Sequence, residues 1–274
     1  MKLAEIFLSK LKIPSMLRRI RNFFLFWGFN PRIFVYNIIG LPWFLRDYFK
    51  FRHKSKEYSD FHFGRMHPVM ADKTDTNGNL ADHYFYQDLF VATRIFINKP
   101  VKHVDIGSRV DGFVAHVAAF REIEVFDIRP MYLCNRNIIF RKADFMKPDI
   151  SLTDYTDSIS CLHALEHFGL GRYGDPLNPF GHLNGIESIY IVLKEGGRFY
   201  FSSPIGPQRI EFNAHRVFSI SYLLKIFEGK FTVLFFSYID DKGELHENAE
   251  LTPDNIKTSF GCSYGCGIFE MIKN

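Results

Sequence analysis

The chain has 274 residues, of which 47% are hydrophobic and 23% are charged, and it contains 31 phenylalanines. This composition excludes a disordered or fibrous chain, and the length allows one large domain with an ordered extension. The net charge of +4 hides an asymmetry: residues 1–56 contain twelve Lys or Arg against two acids, whereas the remainder carries 22 basic and 28 acidic residues.

The basic, aromatic-rich N-terminus, residues 1–80, is predicted to be a helical extension and linker before a main domain over residues 81–274. Lys10 and Lys12 interrupt the early apolar stretch, which argues against a secretory signal. The longest uncharged run, residues 33–45, has 13 residues, whereas a bilayer crossing needs about 20. Only four cysteines are present, too few for a disulfide framework. These features predict a cytoplasmic protein.

Residues 16–27, with the sequence MLRRIRNFFLFW, mix arginine with large apolar side chains as an interfacial helix does. The favoured interpretation is that the aromatic side chains cover the core of the main domain while the arginines lie in water. The alternative is peripheral contact with anionic lipid at the inner membrane face. Nucleic acid is a disfavoured partner, because the charges alternate with apolar residues and no recognised binding module is present.

The main domain has alternating helical and strand patterns in chain order. Helices are predicted over residues 81–100, 111–121, 184–197 and 219–229, and strands over residues 101–107, 122–127, 137–144, 157–164, 198–204, 231–239 and 266–273. This alternation predicts a doubly wound, mostly parallel α/β sheet of seven strands, with an antiparallel end formed by the last two. Ligands bind such sheets beyond the carboxyl ends of the strands.

Acidic residues lie at three successive predicted strand ends, and they indicate a nucleoside site. Asp105, Gly107 and Ser108 occupy the first strand-to-helix turn, where glycine allows close backbone approach and the helix start offers free N–H groups. Asp127 follows at the end of strand two, where an acid holds ribose hydroxyls, and Asp144 at the end of strand three, close to an adenine. Leu162 ends strand four at the same edge and completes the predicted cofactor site.

This organisation, together with LKEGGRFYFSSP before strand five, resembles class I S-adenosylmethionine-dependent methyltransferases over about residues 100–272. The resemblance implies a strand order of 3-2-1-4-5-7-6 and S-adenosylmethionine as the cofactor. Two positions that are commonly glycine in that superfamily are here Arg109 and Asp111. A dinucleotide oxidoreductase is less favoured, because it also requires these glycines and lacks the LKEGG-type ending.

The strings HYFYQDL, HVDIGSRVDGFVAH, SCLHALEHFGLGRYGDP and EFNAHRVFS look like the family called domain of unknown function 268, over about residue 40 to the C-terminus. No reaction is established for that family, so the resemblance implies none for this chain. Members often lie among surface-polysaccharide genes, which implies a saccharide or glycolipid acceptor.

His163, Glu166 and His167 follow strand four and are the predicted catalytic residues. Their H-x-x-E-H spacing also occurs in inverted zinc proteases, but nearby glycines end the helix that such a motif needs. The segment further resembles the E-x-x-E-H of metal-dependent O-methyltransferases, with His163 replacing the first acid, which disfavours a hard cation such as Mg²⁺. A third interpretation is that the pair Glu166–His167 serves only to fix the loop.

The favoured interpretation has no metal: His167 removes the proton from the acceptor hydroxyl, His163 is the second choice for this role, and Glu166 orients one of them. A divalent metal is possible but not favoured. The predicted acceptor contacts come from two loops that follow strands four and five. They are Arg172, Tyr173, Asp175, His215 and Arg216.

The sequence therefore predicts an S-adenosylmethionine-dependent methyltransferase that transfers a methyl group to a saccharide or glycolipid hydroxyl in surface polysaccharide biosynthesis. The competing hypothesis is a non-catalytic scaffold or ligand-binding module with the same fold, which docks to a membrane or partner through its basic N-terminus. The altered glycine positions favour that alternative, whereas the ionisable side chains after strand four favour catalysis.

Overall fold

The structure is a computed structural model that describes residues 15–54, 66, 68, 83–131 and 136–274. The chain divides into two compact units, Met1–Asn79 and Leu80–Asn274. Apart from residues 54, 66 and 68, the predicted linker over residues 54–80 lies outside the described residues. Its role as the connection between two domains therefore stays a prediction.

Two helices form the described part of the first unit, α1 (Ser15–Phe26) and α2 (Pro31–Lys54). Gly28 lies between them at φ +77°, a conformation that ends a helix without Cβ strain. The side chain of Asn30 accepts a hydrogen bond from the Ile33 amide (3.2 Å), and Pro31 at the helix start has no N–H to satisfy. The predicted N-terminal helical extension is confirmed. No described helix combines the length and apolar character that crossing a bilayer requires.

Eight strands form the central sheet of the second unit, and two more form a separate hairpin. The strands are β1 (His103–Ile106), β2 (Ile123–Asp127), β3 (Ile138–Lys142), β4 (Thr156–Leu162), β5 (Leu193–Ile205), β6 (Arg209–Glu211), β7 (His215–Val217), β8 (Phe231–Ile239), β9 (Leu245–His246) and β10 (Gly265–Lys273). The hairpin consists of β6 and β7, which follow the end of β5.

Five helices complete the second unit: α3 (His83–Asn98), α4 (Ala115–Ala118), α5 (Gly181–Val192), α6 (Ile220–Phe227) and α7 (Pro253–Thr258). A π-helical turn over Val110–Val114 precedes α4. The starts of α6 and α7 have side-chain caps, because Ser219 accepts from the Tyr222 amide and Thr252 from the Asn255 amide. Each cap satisfies an N–H that would otherwise lack a partner at the helix start.

The strand order in the sheet is β3-β2-β1-β4-β5-β10-β8-β9. Strands β1 to β5 pair in parallel, whereas β10 pairs antiparallel with both β5 and β8. With β8 as the sixth strand and β10 as the seventh, this is the predicted order 3-2-1-4-5-7-6. The fold class predicted for the main domain is therefore confirmed, with the two-residue edge strand β9 and the β6–β7 hairpin as additions.

Both faces of the sheet are covered, and strand β5 illustrates why. Phe199 and Phe201 point to one face and pack in the larger core cluster, which includes α5 and α6, while Tyr200 between them belongs to the cluster on the opposite face. Alternate residues of a strand point to opposite faces, so a strand buried on both sides has a continuous apolar sequence. This is the pattern of FYF in β5.

Two predicted helices differ from the structure. The helix predicted over residues 184–197 ends at Val192, because Leu193 already pairs with Thr156 of β4 and Gly196 has φ +70°, which no α-helix accommodates. The helix predicted over residues 111–121 is instead a π-helical turn followed by a single α-helical turn. Both errors lie where glycine lowers helix propensity.

Candidate functional site

The first turn of the site, after β1, is organised by a buried carboxylate. Asp105 accepts hydrogen bonds from the Ser108 amide (3.0 Å), the Ser108 hydroxyl (2.6 Å) and the Ser160 hydroxyl (2.6 Å). Burial raises the pKa of Asp105 to about 6, against the opposing effect of these hydrogen bonds. The structure thus places Asp105 inside the turn. It shapes the backbone and does not line the cavity described below.

Gly107 has φ +69°, and a Cβ at this position would lie 3.2 Å from the Cβ of Ala164. Glycine is therefore favoured at this position for two reasons: the positive φ, and the lack of space for a Cβ beside Ala164. The hydroxyl of Ser108 also accepts from the Leu162 amide (3.2 Å), which joins the turn to the end of β4. The side chain of Leu162 is buried in the core. Leu162 therefore acts on the predicted cofactor site through its backbone alone.

The two altered glycine positions lie at the rim of the site. The guanidinium of Arg109 binds the Asp111 carboxylate (Nη2–Oδ2 3.0 Å), and both side chains are at least half exposed. Arg109 also lies over the ring of Tyr84, 4.9 Å from its centroid. The next glycine, Gly112, leaves no room for a Cβ, because the Asp88 carboxyl of α3 occupies that position. Arg109 and Asp111 therefore add charged side chains at the rim of the site, and these side chains do not fill its interior.

A cavity of about 840 Å³ opens at the carboxyl edge of the sheet. Its volume is in the range of small-molecule and cofactor sites, roughly 300–1,000 Å³. A smaller cavity of about 70 Å³ shares six of its wall residues. The shared residues are Gly107, Asp127, Arg129, His163, His167 and Tyr173. The two cavities thus meet at the ends of β1, β2 and β4, as the sheet topology predicts.

Asp127 ends β2 and lies on the wall of both cavities. Its carboxylate accepts hydrogen bonds from three groups of Arg129: the amide (2.8 Å), Nε (3.0 Å) and Nη2 (2.7 Å). The side chain of Asp127 is only 12% exposed, whereas that of Arg129 is 48% exposed. The predicted ribose-binding acid therefore lies at the end of β2, with the half-exposed Arg129 guanidinium bound to its carboxylate.

Asp144 lies on the wall of the smaller cavity, two residues beyond the end of β3. Its Oδ1 accepts from the Met146 amide (3.0 Å), which fixes the turn. The neighbouring wall is apolar, with Phe126, Phe145 and Met146. An apolar wall beside the Asp144 carboxylate suits a flat heterocycle that carries an amino group.

The loop after β4 holds a buried pair of titratable residues. His163 has φ +48°, and its Nδ1 lies 2.9 Å from Oε1 of Glu166, which is buried in a short 3₁₀ turn (Leu165–His167). Burial by itself favours the neutral form of each residue, because it lowers the pKa of His163 and raises that of Glu166. The contacts between them nevertheless hold the pKa of Glu166 below its usual value and, with Cys266, raise that of His163. Nε2 of His163 and Oε2 of Glu166 are buried, and no described residue forms a hydrogen bond with either atom.

His167 lines both cavities and contacts a different partner. Its Nδ1 lies 2.6 Å from the carbonyl oxygen of Ala214. Because a carbonyl only accepts hydrogen bonds, Nδ1 carries the hydrogen and the neutral ring has its lone pair on Nε2. Burial lowers the pKa of His167, although the Glu166 carboxylate, 3.8 Å from Nε2, opposes this effect. His167 is therefore a neutral ring with a basic nitrogen at the cavity wall.

Three of the predicted acceptor-binding residues line the larger cavity: Arg172, Tyr173 and His215. Arg172 donates to the Ala214 carbonyl (3.0 Å), and its guanidinium lies 5.2 Å from the centroid of the Tyr173 ring. The His215 ring is 5.3 Å from that of Tyr264 and 6.4 Å from that of His167. The structure thus brings both predicted loops to the wall of one cavity, which His167 also lines.

The other two predicted acceptor contacts need correction. Arg216 is buried and donates to the backbone carbonyls of Glu166 (3.3 Å), Phe168 (2.6 Å) and Pro179 (3.3 Å), so it joins loops and is absent from the cavity wall. Asp175 touches the smaller cavity, but its carboxylate accepts from the amides of Gly169, Gly171 and Tyr173 (2.8–3.1 Å). Both residues shape the loop because buried carbonyls and amides require partners.

The cavity wall also includes side chains that the sequence did not indicate, among them Tyr84, Arg129 and Tyr264. Tyr84 lies at the start of α3 with its ring 5.0 Å from that of His163, and burial raises its pKa to about 12. Tyr264 immediately precedes β10. The string HYFYQDL, which contains Tyr84, was the one available signal. No periodicity in the sequence distinguishes Arg129 or Tyr264 from ordinary loop residues.

The structure does not favour a metal in the loop after β4. The H-x-x-E-H segment is a three-residue 3₁₀ turn that His163 precedes at positive φ, so the helix of an inverted zinc protease is absent. Nδ1 of His163 and Oε1 of Glu166 bind each other. Within the described part of the chain, only Asp240, Glu244 and His246 converge closely enough for a shared ion, and they belong to the turn between β8 and β9. Asp240 there accepts from turn amides, as in an ordinary turn.

The strand order and the acids at the ends of β1 to β3 define a class I methyltransferase-type fold. Residues 124–259 match the sequence profile of the family described as "Caenorhabditis protein of unknown function, DUF268". The predicted resemblance to this family is confirmed over that range, which is narrower than predicted. Comparison with curated protein sequences gives no match.

Solved structures with a similar fold include the N-methyltransferase NodS from Bradyrhizobium japonicum WM9 with S-adenosylhomocysteine (14% identity, TM-score 0.47, 72% of this chain and 91% of that one). Another is 1,6-didemethyltoxoflavin-N1-methyltransferase from Burkholderia thailandensis (14%, 0.49, 69% and 79%). A third is the [4+2]-cyclase SpnF (14%, 0.49, 68% and 80%). These likenesses assign no reaction to this chain, since one fold supports unrelated chemistries.

Proposed function

We propose that this protein is an S-adenosylmethionine-dependent methyltransferase that acts on a hydroxyl group of a saccharide or glycolipid. The observation that carries the proposal is the arrangement of His167 and Asp127 on one cavity. The Ala214 carbonyl leaves Nε2 of His167 basic, and Asp127 stands at the strand end from which a carboxylate holds a ribose. A base and a nucleoside site beside each other are what O-methyl transfer requires.

The residues present fit the cofactor. Asp127 would hold the ribose hydroxyls, the apolar wall beside Asp144 would contact the adenine, and the turn at Gly107 and Ser108 would approach the amino-acid end. A Cβ at Gly107 would press on Ala164, so the bare backbone there is needed for both packing and ligand approach. When bound, S-adenosylmethionine supplies an electrophilic methyl group on a sulfonium.

His167 would accept the proton of the acceptor hydroxyl at Nε2 as its oxygen bonds to the methyl carbon and the carbon–sulfur bond breaks. The products are a methyl ether, S-adenosylhomocysteine and the imidazolium of His167, which releases its proton to solvent. Glu166 lies 3.8 Å from Nε2 and would stabilise that imidazolium. His163 would keep Glu166 ionised, because its Nδ1–H donates to Oε1 of Glu166, the same oxygen that lies near Nε2 of His167. Positioning of the hydroxyl accounts for most of the remaining rate.

The acceptor class rests on two features. The resemblance to domain of unknown function 268 implies surface polysaccharide biosynthesis, and the loop residues Arg172, Tyr173 and His215 offer donors and a ring face on the cavity wall. Aromatic rings and planar donors are well suited to sugar rings and their hydroxyls. A small-molecule or glycan acceptor follows from this proposal.

Methyl transfer from labelled S-adenosylmethionine to a panel of saccharides and lipid-linked saccharides tests the proposal. We expect His167→Gln to lower turnover by about 10²–10⁴ with little change in donor affinity, because general base catalysis acts on the chemical step. His246→Gln, a histidine change outside the cavity, is the matched control and should leave turnover unaltered. Equal activity of wild type and His167→Gln would refute the assigned base.

A non-catalytic module with the same fold is the second candidate, and one observation favours it. The carboxylate of Asp127 is bound by Arg129, and two positions that are commonly glycine are Arg109 and Asp111. If these features prevent donor binding, the fold serves as a scaffold. Measured donor affinity separates the two candidates.

We also propose that the N-terminal helices bind the anionic inner face of the cytoplasmic membrane. The rest of the chain then lies in the cytoplasm. Phe23 and Phe26 of α1, and Trp27 directly after it, are at least 60% exposed, and large apolar side chains of α2 are exposed as well. Contiguous apolar surface of this kind marks an interaction site. The twelve basic residues of the first 56 complement anionic lipid.

A further inference from the structure

The charged side chains of the larger cavity are paired, with one exception. Arg109 binds Asp111 and Arg129 binds Asp127. Arg172 differs, because no carboxylate of the described residues lies within ion-pair distance of its guanidinium. Its contacts are the Ala214 carbonyl (3.0 Å) and the ring of Tyr173. Among the described residues, this cation in the cavity wall thus has no anionic partner.

Arg129 and Arg172 converge on the same aromatic ring. The guanidinium carbon of Arg129 lies 4.3 Å from the centroid of the Tyr173 ring, and that of Arg172 lies 5.2 Å from it. Two cations beside one ring repel each other unless an anion lies close to both. In the structure, Asp127 provides the compensating charge on the Arg129 side.

Binding of a ribose would remove that compensation. The carboxylate of Asp127 presents one open edge, and the Arg129 guanidinium occupies it with two parallel hydrogen bonds (3.0 and 2.7 Å). Two ribose hydroxyls that bind both carboxylate oxygens need the same edge. Since Arg129 is half exposed, its guanidinium has room to move away toward the cavity.

We propose that donor binding releases Arg129 from Asp127, and that Arg129 and Arg172 then bind a phosphate group of the acceptor beside Tyr173. This inference rests on the proposed function, and it narrows the acceptor to a phosphorylated saccharide or a lipid-linked phosphosaccharide. Phosphate fits better than carboxylate, because two guanidinium forks match its several oxygens, whereas one fork satisfies a carboxylate. Donor and acceptor phosphate should therefore bind cooperatively.

Calorimetric titration of inorganic phosphate into the full chain, with and without saturating S-adenosylhomocysteine at constant ionic strength, tests the coupling. We expect phosphate to bind about fivefold or more tightly in the presence of S-adenosylhomocysteine, within the usual range of coupling between sites. Acetate at the same ionic strength should show a smaller enhancement. An equal or larger enhancement with acetate would overturn the preference for phosphate.

Two variants separate the parts of the inference. Arg172→Gln should weaken phosphate binding and leave the affinity for S-adenosylhomocysteine unchanged. Arg129→Gln should abolish the enhancement and tighten S-adenosylhomocysteine by about 2–5-fold, because a half-exposed ion pair no longer competes for Asp127. Lys225→Gln, a surface charge loss outside the cavity, is the control and should change neither affinity.

The outcomes are distinguishable. Normal S-adenosylhomocysteine binding with the same phosphate affinity in both titrations would overturn this inference and leave the proposed function standing. Phosphate binding weakened as much by Lys225→Gln as by Arg172→Gln would also overturn it. Absence of S-adenosylhomocysteine binding would overturn the proposed function and this inference together. The same titrations with a soluble sugar phosphate and with a lipid-linked one then identify the source of the phosphate. The acceptor is the compound whose affinity S-adenosylhomocysteine increases more.

Discussion

The two histidines of the loop after β4 differ in what their ring nitrogens contact, and the difference separates their roles. His163 shares a hydrogen with Glu166 in a buried pair, which favours its charged form. His167 donates to a backbone carbonyl, and burial lowers its pKa. The contacts of His163 with Glu166 therefore favour its charged form, whereas burial favours the neutral form of His167, which is able to accept a proton.

The pH dependence of turnover tests this assignment. Protonated His167 cannot act as a base, so turnover should rise along an acid limb whose midpoint lies below the usual histidine value of about 6.5. Glu166→Gln should move the midpoint lower still, because the Glu166 charge favours the protonated ring. The measurement is kcat against pH at saturating donor. An acid limb that moves to higher pH in Glu166→Gln would contradict the assignment.

At the scale of elements, the loop after β4 was predicted in its position but not in its internal contacts. The glycines at 169 and 171 correctly indicated that no long helix follows β4. Arg216 and Asp175 were misassigned, since an arginine or aspartate in a loop has the same sequence appearance whether it binds a ligand or the loop's own backbone. Only the distances to carbonyls and amides distinguish the two.

The N-terminal helices carry a prediction of their own. Sedimentation of the protein with vesicles of phosphatidylglycerol should exceed that with phosphatidylcholine and fall with added salt, because the attraction includes a screened electrostatic part. Replacing Phe26 and Trp27 together by Ser should reduce sedimentation severalfold, since each buried large apolar side chain contributes about 1.5–3 kcal/mol.

The control for that experiment is the double variant Val101→Ser and Ile150→Ser, which removes two highly exposed apolar side chains from the second unit. It should sediment as the wild type does. If the Phe26 and Trp27 variant sediments equally well, or unfolds at a lower temperature, the aromatic side chains serve the fold and the membrane proposal fails.

At the scale of the whole molecule, the sheet was predictable because its signals are local and repeated. Each strand is a short apolar run, helices lie between several of the strands, and parallel pairing follows from that alternation. The β6–β7 hairpin and the edge strand β9 were missed because two- or three-residue strands carry no periodicity. Three acids at strand ends located the site. Arg129 on Asp127 was not predictable, since it depends on side-chain conformation.

The central claim is that the cavity at the carboxyl edge binds a nucleoside through Asp127, and calorimetric titration of S-adenosylhomocysteine into the full chain tests it most directly. We expect saturable binding that Asp127→Asn weakens by about 1–3 kcal/mol, the usual loss for charge-assisted hydrogen bonds, and that the surface variant Asp254→Asn leaves unchanged. No binding at millimolar S-adenosylhomocysteine, or equal affinity of wild type and Asp127→Asn, would contradict the account.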